Sequence, residues 1–107
     1  MAESERFMTA YLIAHIEIHD DKAYEEYRRK VPAIIAAHGG RYLVRAGRCE
    51  VIEGNWRPHR GVVIEFPSMD AAHRFLSSPE YRPLRAIRER AARSDLVLFE
   101  GVSAPSP

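Results

Sequence analysis

The chain has 107 residues, 46% of them hydrophobic, which suits one globular domain that forms a core without disulfides. Its single cysteine, Cys49, excludes a disulfide within these residues and a thiolate metal cluster, and favours a reducing, cytoplasmic environment. The net charge of +1 gives no reason to expect a nucleic acid, and no apolar run approaches the roughly 20 residues that cross a membrane.

The first predicted element is a long strand over residues 7–19, which follows a flexible N-terminus of residues 1–6. Its side chains alternate between two faces, as is typical of a pleated strand. One face is apolar and carries Leu12, Ala14, Ile16 and Ile18. The other face is mixed and carries Tyr11, Ile13, His15 and Glu17.

A helix is predicted next, because Asp20 or Asp21 can cap its N-terminus and an apolar stripe follows at helical spacing. The stripe consists of Tyr24, Tyr27, Val31, Ile34 and Ile35. Pro32 lies inside the pattern and should kink the helix. Gly39 and Gly40 should end it with a left-handed cap.

The middle of the chain contains two predicted strand segments, residues 41–46 and 48–53, with a bulge or bend expected at Gly47. A turn-rich loop over residues 53–59 leads to a further strand over residues 60–66. This strand ends at Pro67, which has no N–H to donate to a neighbouring strand.

The last third begins with a helix that Ser68 can cap and whose apolar positions are Ala72, Phe75 and Leu76. Ser78 with Pro79 favours a second helical start, and Pro83 argues against one smooth helix. The final strand is predicted over residues 96–99, and residues 103–107 form a disordered tail.

This β-α-β-β-α-β order predicts an α+β, ferredoxin-like fold in a single domain of residues 7–102. Two helices would cover one face of a four-stranded antiparallel sheet. The second face would remain bare, although Tyr11, Ile13 and Val63 make it too apolar for a solvated surface. We therefore expect a partner to cover it.

Several motifs agree in order and spacing with one known family. They are His38-Gly39-Gly40-Arg41-Tyr42, Arg45-Ala46-Gly47, Glu53-Gly54 with Trp56, Ile64-Glu65-Phe66-Pro67-Ser68 and Ser78-Pro79-Glu80-Tyr81. Over about residues 8–101 the chain resembles the small bacterial family called domain of unknown function 1330 (DUF1330). The family has no agreed activity, and where it usually has an aromatic pair in the second helix this chain has Phe75-Leu76.

The resemblance also implies a partner. The DUF1330 family belongs to the dimeric α/β-barrel superfamily, in which two ferredoxin-like sheets pack face to face across a two-fold axis. The resemblance therefore implies a homodimer, with a second copy covering the bare sheet face.

The candidate chemical groups lie on the mixed strand faces. His15 and Glu65 are expected on neighbouring strands, with Arg45 and Arg60 as the nearest cations. His15 or Glu65 could act as a general acid or base, and Arg45 or Arg60 could hold an anionic oxygen. Alternatively, these residues form an ion-pair network at the dimer interface, since such networks also perturb titration.

Ser78 and Tyr81 form the other candidate substrate-binding pair, because they lie at the helix interruption, where a pocket could form. The alternative is that Ser78 only caps and Tyr81 only packs. We expect no cofactor and no metal, because His15 and His19 lie too far apart along a strand to share an ion. Cys49 is interpreted as a half-buried strand residue.

RNA binding is considered because RNA-recognition modules share this strand order. Residues 60–66 imitate the start of their third strand, but valine and isoleucine replace the stacking aromatics, and Glu65 would repel phosphate. A simpler interpretation of the arginines late in the chain is a solvated helix face. These are Arg82, Arg85, Arg88, Arg90 and Arg93.

Two functional hypotheses remain open. In the first, the homodimer binds a small organic molecule between sheet and helices, either as a binding protein or as a cofactor-independent enzyme for proton transfer or oxygenation of an organic acid or aromatic. In the second, it is a non-catalytic or stress-related interaction module whose polar network holds the dimer together.

Overall fold

The computed structural model of the protein describes residues 8–102, which form four strands and three helices. In chain order these are β1 (Ala10–Ile18), α1 (Asp21–Ala37), β2 (Arg41–Arg45), β3 (Gly61–Phe66), α2 (Met69–Leu76), α3 (Arg82–Ala91) and β4 (Ala92–Glu100). The strands lie in the order β2-β3-β1-β4, and all neighbours are antiparallel. This confirms the predicted ferredoxin-like α+β fold. The predictions for residues 1–6 and 103–107 lie outside the described residues.

β1 separates the two faces of the sheet as predicted, although it begins at Ala10 rather than at residue 7. Leu12, Ala14 and Ile16 are buried beneath the helices, whereas Ile13 is 37% exposed on the opposite face. We call this second face, on which Tyr11, Ile13, His15 and Glu17 lie, the open face. The loop after β2 lies over part of this face, where Trp56 packs against His15, and the described chain supplies no helix layer there.

α1 begins and ends where its sequence indicates. Asp20 caps the N-terminus, where its Oδ1 accepts a hydrogen bond from the Ala23 N–H at 3.0 Å. At the other end Gly39 has φ +79°, and the Gly40 N–H donates to the carbonyl of Ile35 at 2.9 Å. This is the left-handed helix end that glycine permits.

Pro32 lies inside α1 without ending it. Because proline has no N–H, the carbonyl of Arg28, four residues earlier, loses its usual helical donor. The Arg45 guanidinium takes that place, since its Nη2 donates to the Arg28 carbonyl at 3.0 Å. The helix is therefore completed at this point by a side chain from β2.

The prediction of a strand over residues 48–53 is wrong. β2 ends at Arg45, and β3, which pairs with it, begins at Gly61. Residues 48–53 therefore pair with no strand of the described chain. The bend predicted at Gly47 lies beside it, at Ala46, whose φ is +58°. A second irregularity, which the sequence did not indicate, shifts the register between β2 and β3 between Tyr42 and Val44.

The second predicted helix is divided into two, so the sheet carries three helices rather than two. Ser68 caps α2 as predicted, and its Oγ accepts from the Ala71 N–H at 3.0 Å. A turn follows, and α3 begins at Arg82. Pro83 lies in the first turn of α3, where its missing N–H costs nothing, so it starts a helix instead of interrupting one.

β4 begins at Ala92, four residues earlier than predicted, and pairs with β1 along its whole length. The sequence did not indicate this early start, because residues 93–95 of the strand are polar. Arg93 and Asp95 lie opposite Glu17 and His15, on the open face. Arg93 is therefore a strand residue and not part of a helix face.

No helix of residues 8–102 combines the length and apolar character needed to span a membrane.

Candidate functional site

A narrow cavity lies between the sheet and the helices. Its volume is about 40 Å³, which is room for a few water molecules. Leu12, Val31, Ile35, Ile64 and Phe75 contribute to its apolar wall. Its polar lining consists of four tyrosines and four arginines: Tyr24, Tyr27, Tyr42, Tyr81, Arg28, Arg45, Arg60 and Arg88. No carboxylate or imidazole is among its described lining residues.

A buried hydrogen-bonded chain crosses one side of the cavity. The hydroxyl oxygens of Tyr27 and Tyr81 are 2.9 Å apart, and the Arg88 Nε donates to the Tyr81 hydroxyl at 3.3 Å. Burial raises the pKa of Tyr27 far above its usual range, and the neighbouring Tyr81 hydroxyl raises it further. Tyr27 is therefore neutral at physiological pH.

The prediction that the late arginines all lie on a solvated helix face is wrong for Arg88, because only 8% of its surface is exposed. It lies four residues after Leu84 and three before Ala91, so helical spacing places it on the buried side of α3. That spacing was the available signal in the sequence. Arg82, Arg85 and Arg90 are exposed as predicted.

Arg45 reaches the cavity because of the irregularity in β2. In a regular strand, residues three apart face opposite sides. The register shift after Tyr42 instead places Tyr42 opposite Ile64 and Arg45 opposite Val62, both on the buried side. The Arg45 guanidinium consequently lies over the Tyr42 ring, with its Cζ 4.6 Å from the ring centroid.

Arg60 lies just before β3, and its carbonyl accepts from the Ile16 N–H at 2.9 Å. Its guanidinium carbon is 5.9 Å from the Tyr24 ring centroid, and Arg28 approaches the same ring at 5.2 Å. Burial raises the pKa of Tyr24, while the charges of Arg60 and Arg28 act in the opposite direction. The Arg60 Nε is buried and has no hydrogen-bond acceptor among residues 8–102.

Glu65 lies on the open face, where its carboxylate accepts hydrogen bonds from residues other than the expected Arg45 and Arg60. Arg41 Nε donates to its Oε1 at 2.8 Å, and the Tyr11 hydroxyl donates to its Oε2 at 3.2 Å. The hydrogen bond from Arg41 holds the pKa of Glu65 below its usual range. Arg41, and not Arg45 or Arg60, is therefore the cation beside this carboxylate.

His15 also lies on the open face, apart from Glu65. Its Nε2 accepts from the His59 N–H at 2.8 Å, and its Nδ1 is 3.8 Å from the Asp95 carboxylate. The Trp56 ring packs edge-on against it, with centroids 5.9 Å apart. Trp56 and His59 were not among the candidate site residues, because nothing local in the sequence indicates that their loop returns to β1.

The predicted site residues are thus divided between two places. Arg45, Arg60 and Tyr81 line the cavity, whereas His15 and Glu65 lie on the opposite side of the sheet. Ser78 lines neither, and its hydroxyl donates to the Phe75 carbonyl at 2.9 Å and accepts from the Tyr81 N–H at 3.2 Å.

Cys49 is exposed in the loop after β2, so the interpretation as a half-buried strand residue is wrong. Within residues 8–102, no group of three or more histidine, cysteine, aspartate or glutamate side chains is arranged to hold a metal ion.

Comparison with known proteins identifies the kind of molecule that this chain is similar to. Residues 9–102 match the family described as Domain of unknown function (DUF1330). The solved structure of RPA0582, a protein of unknown function from Rhodopseudomonas palustris, is 18% identical with a TM-score of 0.72. The match covers 95% of this chain and 86% of that one.

A second similar structure is SnoaB, a cofactor-independent oxygenase from Streptomyces nogalater. It is 16% identical with a TM-score of 0.62, and the match covers 91% of this chain and 96% of that one. Identities this low show a shared fold and no more. No curated protein is significantly similar in sequence.

Proposed function

The chain belongs to the DUF1330 family, and from that premise we propose that it binds a small organic molecule in the cavity between sheet and helices. The observation that carries the proposal is the lining of this cavity. Four arginines and four tyrosines meet there beside an apolar wall, with no carboxylate among the described lining residues. A few converging polar groups in an otherwise apolar hollow are the usual composition of a small-molecule site.

We also propose that the protein is a homodimer that pairs through its open face. Val97 is 49% exposed and Phe99 is 57% exposed on β4, beside Ile13 on β1. Contiguous exposed apolar side chains of this kind mark interaction surfaces. The occupant we propose is a second copy, because the superfamily that the sequence resembles pairs its sheets face to face.

Cofactor-independent catalysis is the second candidate function, and it would take place in the same cavity as the proposed binding. SnoaB is named as a cofactor-independent oxygenase. In this chain, the hydrogen-bonded hydroxyls of Tyr27 and Tyr81 are the proton-carrying groups that a ligand in the cavity would meet. His15 and Glu65 lie on the opposite side of the sheet, so we propose Tyr81 as the acid or base instead.

Filling the cavity tests the binding proposal. Val31 is buried in the cavity wall, so Val31→Phe occupies the space that a ligand needs. Small aromatic and aliphatic compounds are screened by thermal shift, and the best binder is titrated by calorimetry. We expect Val31→Phe to abolish its binding and Val51→Phe, in the exposed loop, to preserve it.

Equal binding by wild type and Val31→Phe would contradict binding in the cavity. Circular dichroism is used to confirm that both proteins fold. Failure of every compound, including small acids, to bind saturably would also contradict the proposal. Overpacking a core commonly costs about 1–3 kcal/mol, so the titrations are made well below the melting temperature of the variant.

Tyr81→Phe separates the enzyme from the binding protein. The substitution removes one hydroxyl and keeps the ring, so an enzyme that transfers a proton through Tyr81 should lose turnover by roughly a hundredfold or more while still binding. Consumption of the bound compound and uptake of oxygen are measured together. No turnover by wild type, with binding intact, favours the non-catalytic alternative.

A further inference from the structure

We infer that the ligand of the cavity is a small organic acid, with one carboxylate held by Arg60 and an apolar body directed at the hydrophobic wall. The inference rests on the proposed binding function and deepens it by naming the class of ligand.

The arginines of the cavity differ in whether a partner in the protein satisfies them. Arg28 pairs with Glu25 on the surface of α1, and Arg45 donates to the Arg28 carbonyl. No carboxylate of residues 8–102 pairs with Arg60 or Arg88. Arg88 is buried and Arg60 is half-buried, and a charge removed from water is normally paired because its desolvation is costly. An anion in the cavity would supply the missing partner.

Arg60 also has a buried hydrogen-bond donor without an acceptor among the described residues. The buried Arg60 Nε is one of only two buried side-chain nitrogen or oxygen atoms without a partner among the described residues, the other being the Ser94 hydroxyl. A guanidinium presents a planar fork that fits a carboxylate with two hydrogen bonds. The Arg60 Nε is therefore a donor in the cavity wall that no group of residues 8–102 accepts from.

The apolar part of the cavity wall limits the rest of the ligand. This part consists of aliphatic side chains and the Phe75 ring. The volume of about 40 Å³ admits a short chain more readily than a ring, because an engineered cavity that binds benzene measures about 150 Å³. We expect an acid of about two or three carbon atoms to fit the cavity best, and butyrate or an aromatic acid to require some opening of it.

Matched probes of different charge test the inference. Butyrate and benzoate carry the carboxylate, butyramide and benzamide are neutral counterparts of the same shape, and benzylamine has the opposite charge. Calorimetric titration should give each acid an affinity roughly tenfold to a hundredfold higher than its amide, as expected for charge-assisted hydrogen bonds. Benzylamine should not bind.

Substitution of Arg60 assigns the effect to this residue. Arg60→Met keeps an apolar stem and removes the charge, and should lower the affinity for the acid to that of its amide. Arg85→Met is the matched control, since Arg85 is an exposed arginine of α3 that does not line the cavity. If Arg60→Met does not fold, Arg60→Lys keeps the charge and should retain only part of the preference.

The inference is overturned if acid and amide bind equally, if benzylamine binds best, or if Arg60→Met leaves the preference for the acid unchanged. The neutral probes could bind as well as the acids, and Val31→Phe could abolish that binding. This result would contradict the inference and leave the proposed function standing. Failure of all the probes and of the wider screen would contradict both.

Discussion

At the scale of single residues, Glu65 illustrates how a carboxylate is held on a largely apolar surface. Its two oxygens accept from Arg41 and from the Tyr11 hydroxyl. This arrangement matches the interface-network alternative for Glu65 more closely than it matches an acid or base, because a carboxylate with a lowered pKa is a weaker base at neutral pH.

The pH dependence of stability tests this arrangement. The pKa of Glu65 is lower in the folded state than in the unfolded state, where it is about 4.3. Ionised Glu65 therefore stabilises the folded protein fully above the unfolded-state pKa, and this stabilisation is lost as the pH falls through the folded-state pKa. Glu65→Gln should lower the melting temperature at pH 7, and the gap from wild type should close near pH 3. Glu50→Gln, at an exposed ion pair, serves as the control with little effect at either pH.

A constant gap between wild type and Glu65→Gln from pH 7 to pH 3 would show that the ionised carboxylate contributes nothing. Ligand binding is measured on the same variant. If it is unchanged while the melting temperature falls, Glu65 acts in the structure and not in the cavity.

At the scale of elements, a hydrogen bond from β2 replaces one that α1 lacks. Pro32 leaves the Arg28 carbonyl without its helical donor, and Arg45 supplies one from the neighbouring strand. The contact is possible because the irregularity in β2 turns Arg45 towards the helices. A proline in one element and a register shift in another therefore depend on each other.

A double-mutant cycle measures this dependence. Arg45→Met removes the donor, whereas Pro32→Ala restores a backbone N–H that can take the Arg28 carbonyl. We expect Arg45→Met to lower the free energy of unfolding by about 0.5 kcal/mol in the wild-type background, near the lower limit for a hydrogen bond because this one is exposed. In the Pro32→Ala background the same substitution should cost almost nothing.

Arg48→Met, at a side chain that is 87% exposed, is the control for loss of an arginine from this region and should be neutral in both backgrounds. Equal costs of Arg45→Met with and without Pro32 would mean that the two positions are independent.

At the scale of the whole molecule, the sheet has one face covered by helices and one face that no helix of residues 8–102 covers. The open face combines the exposed apolar side chains of β1 and β4 with the Glu65–Arg41 pair. A polar network inside an apolar surface can fix the orientation of a partner as well as its affinity.

A charge at the centre of this face tests the proposed dimer. Val97 lies opposite Ile13, so Val97→Arg introduces an unpaired cation where two apolar sheets would meet. Sedimentation velocity should give a dimer for wild type and a monomer for the variant. Ala33→Arg adds the same charge to the exposed side of α1 and should remain dimeric. A wild-type protein that stays monomeric at high concentration would exclude the dimer.

The sequence by itself determined the elements and most of their ends. The two-residue alternation of β1, the stripe of α1, the caps at Asp20 and Ser68 and the glycine end of α1 are local signals, because each depends on residues within one or two turns of chain. They were sufficient to predict the ferredoxin-like order and the open apolar face. Arg45 and Arg60 were predicted as the cations beside His15 and Glu65, and the structure places them with Tyr81 in the lining of the cavity.

Only the tertiary structure decided which chemical groups meet. Residues 48–53 alternate like a strand but pair with no strand of the described chain, and Arg41 rather than Arg45 reaches Glu65. The partner of Arg45 lies 17 residues away on another element, and the irregularity in β2 that brings them together leaves no local signature. Which face a side chain occupies depends on strand register, and register depends on contacts between segments distant in sequence.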